Sequence, residues 1–164
     1  MKPSEHGLDN MLVTQNVVGL DGLLHFYKDY QFENEFSKNF LAKFPYAKIK
    51  PMLYFSEWAE SQYEYFKDAK YVGNTATFPG FYAPQGRQLR LRAVDDQFLE
   101  VLNDLGVTNF EMETSAIYGM SKLLGHKAIT INNVIANRRR GEFAADHHKS
   151  EKMMIEWVLE RIIK

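Results

Sequence analysis

The chain has 164 residues, 45% hydrophobic and 14% aromatic, with a formal net charge of −1 from 20 basic and 21 acidic side chains. This is the composition of a folded chain and not of a disordered one, and its balanced, interspersed charge gives no footprint for a nucleic-acid polymer while leaving small or anionic ligands open. Cysteine is absent, which excludes disulfide scaffolds and thiolate metal sites; the apolar runs are too short to span a bilayer, and MKPSEHGLDN lacks the apolar core of a signal peptide.

The expectation from these features is a cytoplasmic protein with no membrane association. No repeat, low-complexity tract or Gly/Ser/Pro linker divides the chain, so residues 1–164 are read as a single domain.

Its elements alternate. MLVTQNVVG, Met11 to Gly19, is β-rich and ends at a glycine. Phe36, Phe40, Leu41 and Phe44 then mark one face of a short helix that stops before Pro45. Lys50 to Phe55 reads as a strand, with Ser56 as N-cap of a helix holding Ala59, Tyr63 and Phe66. Tyr71 to Phe78 is a third strand, closed by Pro79-Gly80.

The next helix carries Val94, Phe98, Val101, Leu102 and Leu105 as its apolar stripe, with Asp95 and Asp96 at the positive N-terminal end and Gly106 at the exit. Val107 to Glu111 is a short strand. Ile117, Met120 and Leu124 mark a fourth helix, stopped at Gly125. HKAITINNVIA is a nearly unbroken β run of the kind covered on both faces, and the last helix shows Met153, Met154, Trp157, Val158 and Ile162 along one side. This succession predicts an α/β protein, a three-layer sandwich with a mixed central sheet flanked by helices.

Three segments are polar where a fold alone would not ask for it. GFYAPQGRQLR, Gly80 to Arg90, follows a strand; Gln85 offers an amide donor and acceptor and Arg87 a planar fork of donors, although an exposed loop of solvated residues also fits. FEMETSA, Phe110 to Ala116, sets Glu111 and Glu113 around Met112. If the strand still runs there, both carboxylates point the same way; if the helix has begun, they complement its N-terminus. Periodicity does not separate these readings.

VIANRRRGEF ends the long β run with Asn137 and three arginines, a motif too short to claim nucleic acid. Asp146 reads as a helix cap. His147 and His148 are adjacent and expected to diverge on a helix, so no metal site is assigned.

Taken together, GFYAPQGR, NFEMETSA and LLGHKAITINNVIANR resemble, in order and spacing, the C-terminal half of uridine phosphorylases in the nucleoside phosphorylase superfamily, and VTQNVVGLDGLLHFY upstream looks like the same family. The resemblance covers nearly the whole chain from Met11. It implies phosphorolysis of uridine to uracil and ribose 1-phosphate, in a homo-oligomer, with inorganic phosphate as co-substrate and no other cofactor. Gln85 and Arg87 would be the catalytic pair that binds the uracil edge, with Phe81 beside the base, Ile135 and Ala136 lining its pocket and Arg138 helping at O4.

The ribose would meet Glu113 through its hydroxyls and Met112 by packing, with Glu111 nearby; Arg139 and Arg140 match nothing and are read as surface. Related purine enzymes place an aspartic acid after the corresponding strand, where this chain has Asn137, a poor general acid, which favours a pyrimidine. Family members are longer. Their N-terminal half supplies the glycine-rich phosphate loops, so the phosphate-binding residues are expected outside this chain, with strand edges and apolar surface left exposed. A non-catalytic remnant that only binds nucleoside and a nucleosidase-type hydrolase are the other readings.

Overall fold

A computed structural model describes residues 8, 10–87, 90, 97–138 and 140–163. Its centre is β1 (Met11–Gly19), whose run of Val, Leu and Thr suits a pleated, covered strand. On one edge β1 pairs in parallel with β3 (Tyr71–Thr77), which pairs in parallel with β4 (Val107–Glu111). The other edge is shared end to end: β2 (Tyr54–Glu57) lies antiparallel to Asn16–Gly19, and β5 (Thr130–Asn133) antiparallel to Met11–Thr14. The β1 register against β3 slips between Thr14 and Asn16, and the Gln15 carbonyl at that slip accepts from Trp58 N at 2.9 Å.

Alternation along β3 sorts the two faces. Ala76 points, with Val18 and Phe55, toward α1 (Glu35–Lys43) and α3 (Phe98–Asp104), where Phe40, Phe44, Phe98 and Leu102 are buried. Rings carry that core, with Phe40 5.5 Å from Phe55 and Tyr46 5.0 Å from Phe98 between centroids. Thr75 and Thr77 point the opposite way, beneath α4 (Thr114–Leu123). The sheet is therefore mixed and flanked by helices on both faces, as the sequence predicts.

Four local expectations need correcting. Lys50–Met52 is a 3-10 turn, because Pro51 lacks the N–H a strand needs, and the strand begins only at Tyr54. Ser56 is not a cap. It lies buried inside β2, and the helix after it is short, α2 (Glu60–Tyr63) running into a 3-10 turn at Glu64–Phe66.

Helix α4 inverts its expected polarity. Its buried residues are Thr114, Ser115, Tyr118 and Gly119, while Ile117 and Leu124 are exposed. The sheet beneath offers hydroxyls, so α4 packs by hydrogen bonds: Ser115 N donates to Thr77 Oγ1 at 2.9 Å, and Tyr118 OH donates to the Thr14 carbonyl at 2.6 Å and accepts from Thr130 N at 2.9 Å. Finally, the β run after Gly125 is not one covered strand; β5 is half-buried and only four residues long, because the chain leaves the sheet to form a hairpin of β6 (Ala136–Asn137) and β7 (Glu142–Phe143).

The last helix, α5 (His147–Ile162), is capped as expected by Asp146, whose Oδ1 accepts from Lys149 N at 3.2 Å. It is shallowly seated. Trp157 lies 5.4 Å from Phe66, yet Met153 and Ile162 of the expected stripe are more than half exposed. Val94, Asp95, Asp96 and Arg139 lie outside the described residues. Among the described residues no helix is long and apolar enough to cross a membrane.

Candidate functional site

The parallel strands β1, β3 and β4 end on the same side, the usual ligand side of an α/β sheet. There a cleft of about 490 Å³ is walled by Phe81 and Gln85 from the segment after β3, by β4 and its exit through Glu113, and by residues 132–138 from β5 to the hairpin. Eight of the nine candidate residues line it: Phe81, Gln85, Glu111, Met112, Glu113, Ile135, Ala136 and Arg138. Arg87 does not.

The difference between Gln85 and Arg87 comes from one tight turn. Ala83–Gln85 is a 3-10 turn with proline at its start, closed by Gly86 at φ +81, a left-handed conformation that glycine adopts freely. Arg87 N returns to the Tyr82 carbonyl at 2.9 Å. Gln85 is thereby turned inward and only 4% exposed, while Arg87 points outward, 5.5 Å from the Tyr82 ring.

Arg138 reaches across from the hairpin to Gln85. Its Nη2 donates to Gln85 Oε1 at 2.8 Å and to the Phe81 carbonyl at 3.2 Å, and the guanidinium stands 4.8 Å from the Phe81 ring centroid. Burial, and then the like charge of Arg87, pull the Arg138 guanidinium below the usual arginine range. Arg87 thus acts on Arg138 from outside the cleft lining.

The glutamates line the cleft at the exit of β4, where the helix-start reading describes Glu111 and the two carboxylates are used differently. Glu111 closes β4 and faces α4: its Oε2 accepts from Glu113 N at 2.7 Å and Thr114 N at 2.5 Å, and its Oε1 accepts from Thr77 Oγ1. It complements the helix start. Glu113 is exposed at the cleft, with Oε2 accepting from Met112 N at 3.1 Å, and Met112 lies open beside it at 44% exposure.

Sequence reasoning missed two features. The cleft is also lined by Asn103, Asn109, Asn132 and Asn133, and asparagines scattered over three elements give no motif to find. Next to the site, Asp21 accepts from Tyr54 OH at 2.7 Å, Ser115 Oγ at 2.9 Å and Leu23 N at 2.7 Å. The only hint of this network was an Asp-Gly after a strand. Asn137 is buried and turned to the hairpin, where its Oδ1 accepts from Arg140 N at 3.2 Å.

The adjacent histidines do not diverge as expected. The His147 and His148 rings lie 4.1 Å apart, and with Glu151 they form an exposed donor set whose ligand atoms lie within 4.8 Å of one another. It stands on α5, apart from the cleft-lining residues.

No protein-family model matches the chain. It is similar to the purine nucleoside phosphorylase DeoD-type 2 of Aliivibrio fischeri, 33% identical over 95 residues, covering 57% of this chain and 36% of that protein. It is also similar to the uridine phosphorylase of Thermococcus kodakarensis, 31% identical over 103 residues, covering 53% of this chain and 35% of that one. The match thus spans about a third of the length of these curated relatives. Among solved structures, a Trypanosoma brucei nucleoside phosphorylase with uridine phosphorylase activity superposes with a TM-score of 0.84 at 24% identity, covering 99% of this chain and 60% of that one. The fold is shared with that structure.

Proposed function

We propose that this chain, built on the nucleoside phosphorylase fold, forms the nucleoside side of a phosphorolysis site that takes uridine. The observation that carries the reading is the pairing of Gln85 with Arg138 in a cleft that Glu113 and Met112 also line. In this reading Gln85 pairs with uracil O2 and N3, and Phe81, Ile135 and Ala136 cover the base. Glu113, as an ionised acceptor, takes hydrogen bonds from the ribose hydroxyls over Met112.

The chemistry follows from charge. Phosphate attacks ribose C1′, the bond to uracil N1 breaks, and the electron pair left on N1 spreads to O2 and O4. Donors and cations aimed at those oxygens stabilise the transition state more than the neutral ground state. In this reading Arg138 would meet that edge, and Arg87, outside the cleft lining, adds its charge close enough to depress the Arg138 pKa. Turning Arg87 inward about the Tyr82–Arg87 turn would bring its fork to O4.

The pyrimidine preference rests on Gln85 and on the asparagine at 137, against relatives that include purine enzymes. The remaining parts of the proposal are inorganic phosphate as co-substrate, no further cofactor and a homo-oligomer. Exposed Ile117, Leu124 and Phe26 are surfaces that such an assembly would cover.

The test is uracil release from uridine by the purified chain, with and without phosphate, beside inosine. Release only with uridine and phosphate supports the reading. Release without phosphate points to a hydrolase. Uridine binding without release points to a chain that binds nucleoside but lacks the phosphate side, and preference for inosine overturns the pyrimidine assignment.

A further inference from the structure

We propose that His147, His148 and Glu151, at the start of α5, form a binding site for a divalent transition metal, with Zn²⁺ as the ion their chemistry fits. The site stands apart from the cleft and takes no part in the proposed phosphorolysis, so its test is independent of the uridine reading.

Among the described residues this is the one group of three or more His, Asp or Glu side chains whose ligand atoms all lie within 4.8 Å of one another. Helical spacing explains two of its pairs. Glu151 lies four residues after His147 and three after His148, and both intervals bring side chains to one face of a helix. The third pair has a local cause. Adjacent residues inside a helix diverge, but His147 is the first residue of α5 and follows Asp146, whose backbone is not helical at φ −138 and ψ 79. With the helix only beginning, the two rings stand 4.1 Å apart and 40° from parallel.

The distances suit a metal. Two ligands set tetrahedrally at zinc bond lengths of about 2.0–2.2 Å lie about 3.3–3.6 Å from each other. His148 Nδ1 and Glu151 Oε2 are 3.4 Å apart. The other pairs have to close from at most 4.8 Å, which side-chain rotation supplies, and the His148 and Glu151 side chains, 82% and 43% exposed, have room for it.

The turn beneath the ligands is held in place. Asp146 Oδ1 accepts from Lys149 N at 3.2 Å, and Ser150 Oγ donates to the His147 carbonyl at 3.0 Å while accepting from Asn133 Nδ2 of β5 at 2.7 Å. Less backbone freedom is therefore lost on binding. The positive end of the helix and Lys149 oppose a cation, and the carboxylates of Asp146 and Glu151 offset them. Lys152 is drawn off to Glu156 at 3.8 Å.

Two imidazole nitrogens and one carboxylate also select the ion. Hard cations such as Mg²⁺ take oxygen ligands, whereas Zn²⁺, with Ni²⁺ and Cu²⁺ beside it, is suited to imidazole. Three protein ligands leave the fourth zinc position to water.

The experiment titrates Zn²⁺, Ni²⁺ and Mg²⁺ into the untagged full chain by calorimetry and follows the histidine ring signals by NMR as Zn²⁺ is added. One equivalent of Zn²⁺ is expected to bind with a Kd on the order of 10 μM, well short of closed four-ligand sites. Ni²⁺ should bind comparably, and Mg²⁺ at least about a hundredfold more weakly. The ring signals of His147 and His148 should move while those of His25 and His126 stay in place.

His147→Ala, His148→Ala and Glu151→Gln, none at a buried position, should each weaken Zn²⁺ binding about tenfold or more, with the fold checked by circular dichroism. His126→Ala should leave it unchanged. Binding that is absent, that all three ligand substitutions leave unaltered, or that Mg²⁺ matches overturns the site. Ring shifts spread equally over His25 and His126 would mean adventitious surface binding and overturn it as well.

Discussion

Glu111 and Glu113 stand two residues apart at the cleft and are used differently: the Glu111 carboxylate accepts the backbone amides of Glu113 at 2.7 Å and Thr114 at 2.5 Å, whereas the Glu113 carboxylate, exposed, accepts only a 3.1 Å bond from Met112 N among the bonds described. One charge begins a helix and the other lies exposed at the cleft. Glu111→Gln should therefore destabilise the fold by about 1–3 kcal/mol, since an amide cannot accept from all three of its donors with both ends. Glu113→Gln should leave stability within about 0.5 kcal/mol and weaken nucleoside binding. Thermal unfolding and a uridine titration separate the two, and a Glu113→Gln chain that binds uridine unchanged would sink the ribose assignment.

A second prediction concerns alkaline pH. Burial first of all pushes the Tyr118 phenol up to about 12 from its ordinary 10.0. The unfolded chain releases that proton near 10 while the folded one holds it, so between these pH values the unfolded state binds fewer protons. Stability is then full below pH 10 and falls as pH rises toward 12, by about 1.4 kcal/mol per pH unit for each such group. Tyr54 and Tyr30, also raised chiefly by burial, steepen the fall. Tyr118→Phe should lose stability at neutral pH, because the Thr14 carbonyl and Thr130 N lose their partner, yet show a slope shallower by one proton. Urea unfolding at several pH values reads this slope, and an unchanged slope refutes it.

Asn34 supplies a third. Its side chain caps α1 by accepting from Ser37 N at 2.9 Å, and its Nδ2 donates to Asn16 Oδ1 at 2.8 Å and Glu57 Oε2 at 3.0 Å. Aspartate is as good a cap as asparagine, so a capping role alone predicts no cost for Asn34→Asp. Here the substitution removes both donors and sets a carboxylate against Glu57, and a loss of about 1–3 kcal/mol is expected. A chemical-denaturation midpoint equal to that of the native chain would show that the donor side of Asn34 contributes nothing.

These residues also show what the sequence made legible. The strands at Met11–Gly19, Tyr71–Thr77 and Val107–Glu111 follow from β-rich composition and the helix at Glu35–Lys43 from its apolar periodicity, which Phe40 and its ring neighbours bear out by packing into the core. Where packing is polar, the signal misleads: α4 buries Thr114, Ser115 and Tyr118 and turns Ile117 outward, since its partners are the threonines of the sheet. Eight of nine candidate site residues line one cleft because the motifs sit at strand ends, which sequence order fixes. Arg87 departs because a left-handed glycine at 86 sets the direction of its neighbour, and a φ angle is not written in residue spacing.

The last prediction tests the ring that closes the sheet beside the site. Gly19 pairs with Tyr54 across β1 and β2, and a Cβ built at position 19 runs into the Tyr54 ring. Glycine in a strand normally costs stability relative to alanine, so Gly19→Ala would ordinarily help. It should instead destabilise by about 1–3 kcal/mol, the usual cost of overpacking. The ring has no room to yield, because its hydroxyl is held by Asp21 at 2.7 Å and by Ser115 at 2.7 Å. Removing the ring removes the conflict: in a Tyr54→Ala background the same Gly19→Ala change should cost nothing or stabilise, giving a coupling energy of about 1–3 kcal/mol in a double-mutant cycle. Additive losses would mean that the sheet, and not the tyrosine, rejects a side chain at position 19.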